Sequence, residues 1–222
     1  MEQRIRTVGI LGAGRVGTAL AREALKAGYE VRIATAKPVE EIELIVEIIT
    51  PGALAVTAAD AAASDLVVLA APLHRYRTLD AAGLAGRVVV DAMNYWEPTD
   101  GAMPEMNAGR GTSEVVQDFL AGSSVVKTLN HIGYHDLESD GRPAGAPDRR
   151  ALAVAGDDES ARAVVLGFVE AIGYDAVDAG PLAAGRAFEP GTEIFAGAHD
   201  AAGLVEALGR AAAAETATVA AA

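Results

Sequence analysis

Arg4 to Leu20 reads R-I-R-T-V-G-I-L-G-A-G-R-V-G-T-A-L, a short β-rich run that stops at a set of three glycines. Ile5, Val8, Ile10 and Leu11 supply the strand, and Thr18 to Ala27 is a helix-forming run. Between them Gly12, Gly14 and Gly17 give Gly-x-Gly-x-x-Gly, the spacing of a dinucleotide-binding turn. The first glycine makes the tight turn, the second lets backbone approach a pyrophosphate, and the third lets helix pack on strand. The N–H groups that open the helix, those of Arg15 and Val16, then face the phosphates along the helix dipole.

Working outward, strand and helix signals alternate. Tyr29 to Ala34 reads as a second strand, and Val39 to Ile49 as a helix with Ile42, Ile45, Val46 and Ile49 at helical spacing. Ala53 to Thr57 is a third strand, Ala58 to Ala63 a short helix, and Asp65 to Ala71 an unbroken apolar run suited to a strand buried on both faces. Residues 75 to 83 are expected as helix, Arg87 to Ala92 as the fifth strand, Ser113 to Leu120 as helix and Ser124 to Leu129 as the sixth strand. An irregular stretch, His131 to Arg150, precedes a last strand, helix and strand. The expected fold is α/β, a doubly wound, mainly parallel Rossmann sheet with core order 3-2-1-4-5-6 and a small C-terminal α/β extension. The expected divisions are 1–130 for the nucleotide-binding domain and 131–196 for a small substrate or dimerisation part. An alanine-rich tail at 197–222 is expected to be loosely helical or disordered.

Composition removes several function classes. A net charge of −13 over 222 residues repels nucleic acid. No apolar run approaches about 18 residues, so no membrane span is expected. Residues 1 to 17 pass straight into strand and loop, so no leader peptide is expected either, and the cytoplasm is the expected compartment. With no cysteine there is no disulfide and no thiolate chemistry. His131 and His135 lie four apart, but Gly133 between them weakens a helical metal site, and no metal is expected.

The second strand ends in Ala34-Thr35-Ala36-Lys37, where an NAD site usually places Asp or Glu. With no carboxylate to repel a 2′-phosphate, Thr35 and Lys37 point to NADP, and the chain has only three lysines in all. Three segments should converge at the carboxyl ends of the strands: Ala70 to His74, Asp91 to Asn94, and Lys127 to His131. Ala71, Pro72 and Asn94 are candidates for cofactor contact there. His74, Trp96, Asn130 and His131 are candidates for positioning a substrate. Trp96 reads either as an apolar wall for a substrate ring or as core.

The blocks G-I-L-G-A-G-R-V-G, L-A-A-P, V-V-V-D-A-M-N, V-V-K-T-L-N and D-A-G-P-L-A-A-G-R-A-F-E-P resemble the NADP-dependent reductases of the deazaflavin coenzyme F420, over roughly residues 5 to 195. The resemblance implies hydride exchange between NADPH and a small-molecule deazaflavin or similar planar acceptor, and frequent homodimerisation. It also implies that Thr35 and Lys37 hold the 2′-phosphate, although Ala36 stands where a basic residue is common. The histidine after strand six sits at 131, one place later than those reductases tend to have it. The rival readings are an NADP-dependent reductase of an imine, flavin or small ketone, and a regulatory module that binds NADP without turnover. Hydride transfer itself asks only for proximity, alignment and exclusion of water.

Overall fold

The computed structural model describes residues 5–107 and 109–220. The chain opens with β1 (Thr7–Leu11), α1 (Arg15–Lys26), β2 (Glu30–Ala34), α2 (Val39–Ile49), β3 (Leu54–Ala55), α3 (Ala58–Ala62) and β4 (Leu66–Leu69). A 3₁₀ turn at Leu73–Thr78 leads to β5 (Val88–Asp91), α4 (Glu97–Asp100), α5 (Thr112–Phe119), β6 (Ser124–Lys127) and α6 (Tyr134–Ser139). Then follow β7 (Ala151–Gly156), α7 (Glu159–Ala171), β8 (Asp175–Gly180), a 3₁₀ segment Leu182–Phe188, α8 (Glu193–Ala196) and α9 (Ala201–Ala220).

All eight strands form one sheet in the order β3-β2-β1-β4-β5-β6-β7-β8. The expected 3-2-1-4-5-6 order holds through the first six strands, all of them parallel. β7 departs from the rule by pairing antiparallel with β6, Val126 opposite Gly156 and Lys127 opposite Ala155. The excursion between them carries only the short α6. A chain leaving the carboxyl end of β6 re-enters from that same edge unless a long crossover returns it.

Period-two alternation divides the core into two faces. Val8, Ile10, Val31, Ile33, Leu66, Val68, Val90 and Val126 meet α1, α2 and α7 on one side. Val67, Leu69, Val89 and Val125 meet Leu73, Tyr76, Leu84, Val116 and Leu120 on the other. At Gly9 the packing is closer than a side chain permits, since a Cβ there would lie 1.9 Å from the Ala61 carbonyl oxygen of α3.

Several expectations are corrected. The helix read at 75 to 83 is a 3₁₀ turn from Leu73 to Thr78, ended where Leu79 turns extended. Of the α2 positions read at helical spacing, only Ile42 and Val46 are buried. Ile45 and Ile49 instead join Leu44, Ile48 and the β3 residue Leu54 in an exposed apolar face. The alanine-rich tail takes the helical form of the two expected, as α9, whose Leu204 and Ala207 pack with Ala151, Ala153, Val177 and Phe188; residues 221–222 lie outside the described residues. No helix among the described residues is long and apolar enough to cross a membrane.

Candidate functional site

The glycine loop sits at the carboxyl edge of the sheet, between β1 and α1. Gly12 adopts φ +132, where side chains are strained, and a Cβ there would strike the Ala70 carbonyl oxygen at 2.4 Å. Its N–H donates to the Ala34 carbonyl at 2.9 Å, which fastens the end of β2 beside the loop. Gly17 is equally constrained, because a Cβ would lie 2.0 Å from the Gly12 carbonyl oxygen. Gly14 is different: a Cβ there meets nothing within 4 Å. Gly14 also caps α1 with no side-chain hydrogen bond, and the first turn of α1 holds no acid. The helix therefore presents uncapped N–H groups beside open space, which is what a pyrophosphate requires and what glycine at this position keeps clear.

Arg15 projects from the first position of α1. Its guanidinium donates to the Tyr134 hydroxyl at 3.2 Å and lies 5.4 Å from the centre of that ring. Arg22, about two turns further along the same face of α1, is ion-paired with Glu138, so α6 is held against α1 and flanks the glycine loop. At the end of β2 the Thr35 hydroxyl accepts the Lys37 N–H at 3.0 Å, forming a tight polar turn. Lys37 Nζ lies 3.6 Å from Glu41 in the first turn of α2, and both side chains are well exposed. Such a pair is weak and leaves the ammonium able to turn to another anion.

On the other side of the crevice, β4 and β5 deliver two loops that are joined by Asp100. Its Oδ1 accepts from the His74 N–H at 3.2 Å and faces His74 Nδ1 at 2.8 Å, while its Oδ2 accepts the Trp96 N–H at 2.8 Å. Burial pushes the Asp100 carboxyl up, but the hydrogen bonds from Trp96 and His74 outweigh it and hold the group below its usual range. Trp96 is not core: it is 49% exposed and meets Phe195 edge-on, with ring centres 5.9 Å apart. The late segment of the chain thus reaches the site. Glu189 reinforces this by accepting from the Thr112 N–H and hydroxyl at 2.6 and 2.8 Å.

Asn94 and Asn130 are brought together, but chiefly to satisfy each other. Asn94 Nδ2 donates to the Asn130 carbonyl at 2.7 Å, and Asn130 Nδ2 donates to Asn94 Oδ1 at 3.1 Å and to the Phe188 carbonyl at 2.8 Å. Asn130 is buried, whereas Asn94 keeps partial exposure. Asn130 is therefore a strut that sets Asn94, and the expectation that it meets substrate is corrected. His131 is corrected more firmly. It is 3% exposed, packs on Phe188 with ring centres 4.8 Å apart, and its Nε2 accepts the Ala153 N–H at 3.0 Å. Burial, helped by the charges of Arg150 and Lys127, pushes its pKa down to about 3, so the ring is a neutral core element.

Sequence reasoning passed over the network beneath these loops. Asp91 Oδ1 accepts the Met93 N–H at 2.9 Å and its Oδ2 accepts the Ser113 hydroxyl at 2.6 Å. Lys127 Nζ donates to the Met93 carbonyl at 2.6 Å. The Met93 peptide is thus gripped on both sides just ahead of Asn94. Leu129, with φ +64, is the one non-glycine residue at positive φ among the described residues, and its strain lies in the turn after β6, just ahead of Asn130. Arg149 is buried against Glu170 and Asp175. Among the described residues no group of three or more His, Asp or Glu is arranged to hold a metal.

Residues 7–95, the segment carrying the glycine loop, the β4 loop and the start of the β5 loop, match the family described as NADP oxidoreductase, coenzyme F420-dependent. Over that segment the chain is similar to the F420-dependent NADP oxidoreductases. A protein of Arthrobacter sp. FB24, named as a candidate F420-dependent NADP-reductase, is 27% identical, with a TM-score of 0.69 over 82% of this chain and 88% of its own. A hypothetical protein from Sinorhizobium meliloti shares the fold at 24% identity, with a TM-score of 0.77 over 90% of this chain and 97% of its own. Metalloreductase STEAP3 of Rattus norvegicus is 26% identical over 186 residues, which is 82% of this chain but 35% of that protein. This chain thus spans about a third of that curated relative. The matched segment and the Arthrobacter protein are those of NADP-dependent oxidoreductases with a Rossmann fold.

Proposed function

We propose that the chain transfers a hydride between NADP(H) and a planar acceptor of the deazaflavin class, coenzyme F420 or a close analogue. The observation that carries this reading is the pairing, on one sheet edge, of an open glycine loop under an uncapped α1 with an exposed Trp96 anchored beside His74. When bound, NADP(H) supplies or takes the hydride. The protein holds it through the glycine loop, with Gly12 and Gly17 shaping the turn, Gly14 leaving room, and Arg15 and Val16 offering N–H groups. Thr35 and Lys37 take the 2′-phosphate. Ala71 and Pro72 at the end of β4 let the ribose approach, and Asn94, set by Asn130, orients the carboxamide. His74 and Trp96 then form the polar edge and the apolar wall for the second ring.

The exposed apolar face of Leu44, Ile45, Ile48, Ile49 and Leu54 supports a homodimer, since a patch of this kind is seldom left open on a monomer. The expected setting is the cytoplasm. The decisive experiment mixes the protein with NADPH and a panel of deazaflavin, flavin, imine and ketone acceptors while absorbance is followed. Turnover with deazaflavin first, and a Trp96→Ala variant with raised KM for the acceptor but unchanged NADPH affinity, is expected. Faster turnover of an imine or ketone would reassign the acceptor, and turnover of none would leave a nucleotide-binding module.

A further inference from the structure

Asp100 joins the two loops that would embrace the acceptor, and it does so with three hydrogen bonds to one carboxylate, two from His74 and one from Trp96. Its side chain is 2% exposed while that of His74 is 37% exposed. A carboxylate only accepts hydrogen bonds, so His74 Nδ1 must be the donor. The other ring nitrogen, Nε2, has no protein partner among the described residues, and the ring cannot turn without breaking its bond to Asp100.

We propose that His74 is the proton donor to the reduced acceptor and that Asp100 is the positioning residue that aims it. This rests on the hydride-transfer reading above. A neutral conjugated ring that receives a hydride gains a C–H bond and one negative charge, and the reduction is complete only when a proton arrives. In the balanced step, the C–H bond of the dihydronicotinamide breaks with its electron pair and the new C–H bond forms on the acceptor. The Nε2–H bond of protonated His74 then breaks and its proton forms an N–H or O–H bond on the acceptor ring. NADP⁺ and neutral His74 remain, and water restores the proton. Asp100 balances the imidazolium charge in the interval, and because the same carboxylate holds the Trp96 N–H, the apolar wall and the acid are placed as one unit.

Two measurements test this. Nitrogen NMR of the nucleotide-free protein reads the ring directly: neutral His74 should carry its proton on Nδ1 in the wild type and shift toward the Nε2–H form of free imidazole in Asp100→Ala. An Nε2–H ring in the wild type would overturn the proposal. In kinetics, His74→Asn keeps a donor for Asp100 but has no second nitrogen. It should lower kcat at saturating acceptor by roughly a hundred-fold, the low end of what general acid catalysis contributes, with NADPH affinity unchanged. Asp100→Ala should lower kcat in the same way, and the double variant should be no worse than His74→Asn alone. A stability loss in Asp100→Ala with intact kcat would reduce Asp100 to a loop fastener and overturn the assignment. A wild type that reduces no acceptor overturns the hydride-transfer reading itself, whereas an active wild type with an equally active His74→Asn overturns only the proton donor.

Discussion

Lys127 Nζ lies 3.6 Å from Asp91 Oδ2, and neither side chain has any exposure to solvent. Two opposite charges thus sit inside the sheet edge that carries the site. Each is further satisfied, Lys127 by the Met93 carbonyl and Asp91 by the Met93 N–H and Ser113. The pair adds less to stability than either partner costs when it is left alone, because desolvation has already consumed most of the Coulombic gain.

Lys127→Met should therefore destabilise the fold by about 3–5 kcal/mol, the range for a buried charge left unpaired. The added change Asp91→Asn should recover part of that loss, since it removes the stranded charge while keeping an acceptor for the Met93 N–H. Urea unfolding of the single and double variants checks this. A double variant as unstable as the sum of the two singles would show that the charges do not act on each other.

How far such features were legible follows from their range in sequence. The glycine turn and the alternation of strand and helix from β1 to β6 are spelled by neighbouring residues, and both stand where the sequence placed them. Asp91 with Lys127, and Asp100 with His74, are pairings across separate loops, which no local pattern announces. His131 shows the opposite failure. A histidine after a strand reads as a site residue, yet small Ala153 of β7 and the ring of Phe188 close over it. The exposed face of α2 escaped because seven apolar positions in one helix leave the buried stripe undefined until the sheet selects Ile42 and Val46.

The three glycines of the loop should separate by substitution. Gly14 has open space and φ −77, ψ −174, which a β-branched residue adopts without strain. Gly14→Val should fold with a wild-type melting temperature and lose NADPH affinity by at least about ten-fold, or ~1.4 kcal/mol. Gly17→Ala places a Cβ against the Gly12 carbonyl and should destabilise the fold itself. Calorimetric titration and thermal melts decide between them, and a Gly14→Val protein that binds NADPH normally would remove the pyrophosphate from this loop.

Nucleotide preference should turn on Lys37. A charge-assisted hydrogen bond contributes about 1.5–3 kcal/mol, so Lys37→Ala should weaken NADPH binding by roughly ten- to a hundred-fold and leave NADH nearly unaffected. Glu41→Gln removes the negative charge that now faces the ammonium and should leave NADPH binding unchanged or tighten it. Equal losses for both nucleotides in Lys37→Ala would count against the 2′-phosphate contact.

His131 ties stability to pH. Its pKa is about 3 in the folded protein and about 6.5 in an unfolded chain, so below the higher value the unfolded state binds the extra proton and the folded state does not. Stability from this residue is fully present above about pH 6.5 and is lost as pH falls toward 3, with a limiting slope of about 1.4 kcal/mol per pH unit. His131→Gln keeps an acceptor within reach of the Ala153 N–H but does not titrate. The difference in unfolding free energy between wild type and His131→Gln should therefore be constant from about pH 7 to 8 and move against the wild type at about pH 5. Acceptor kinetics of the folded variant should match the wild type near neutral pH, because the ring faces Phe188 and not the crevice. A flat difference across the acid range would mean that the ring takes a proton in the folded state, and its place beside Ala153 and Phe188 would then have to be abandoned.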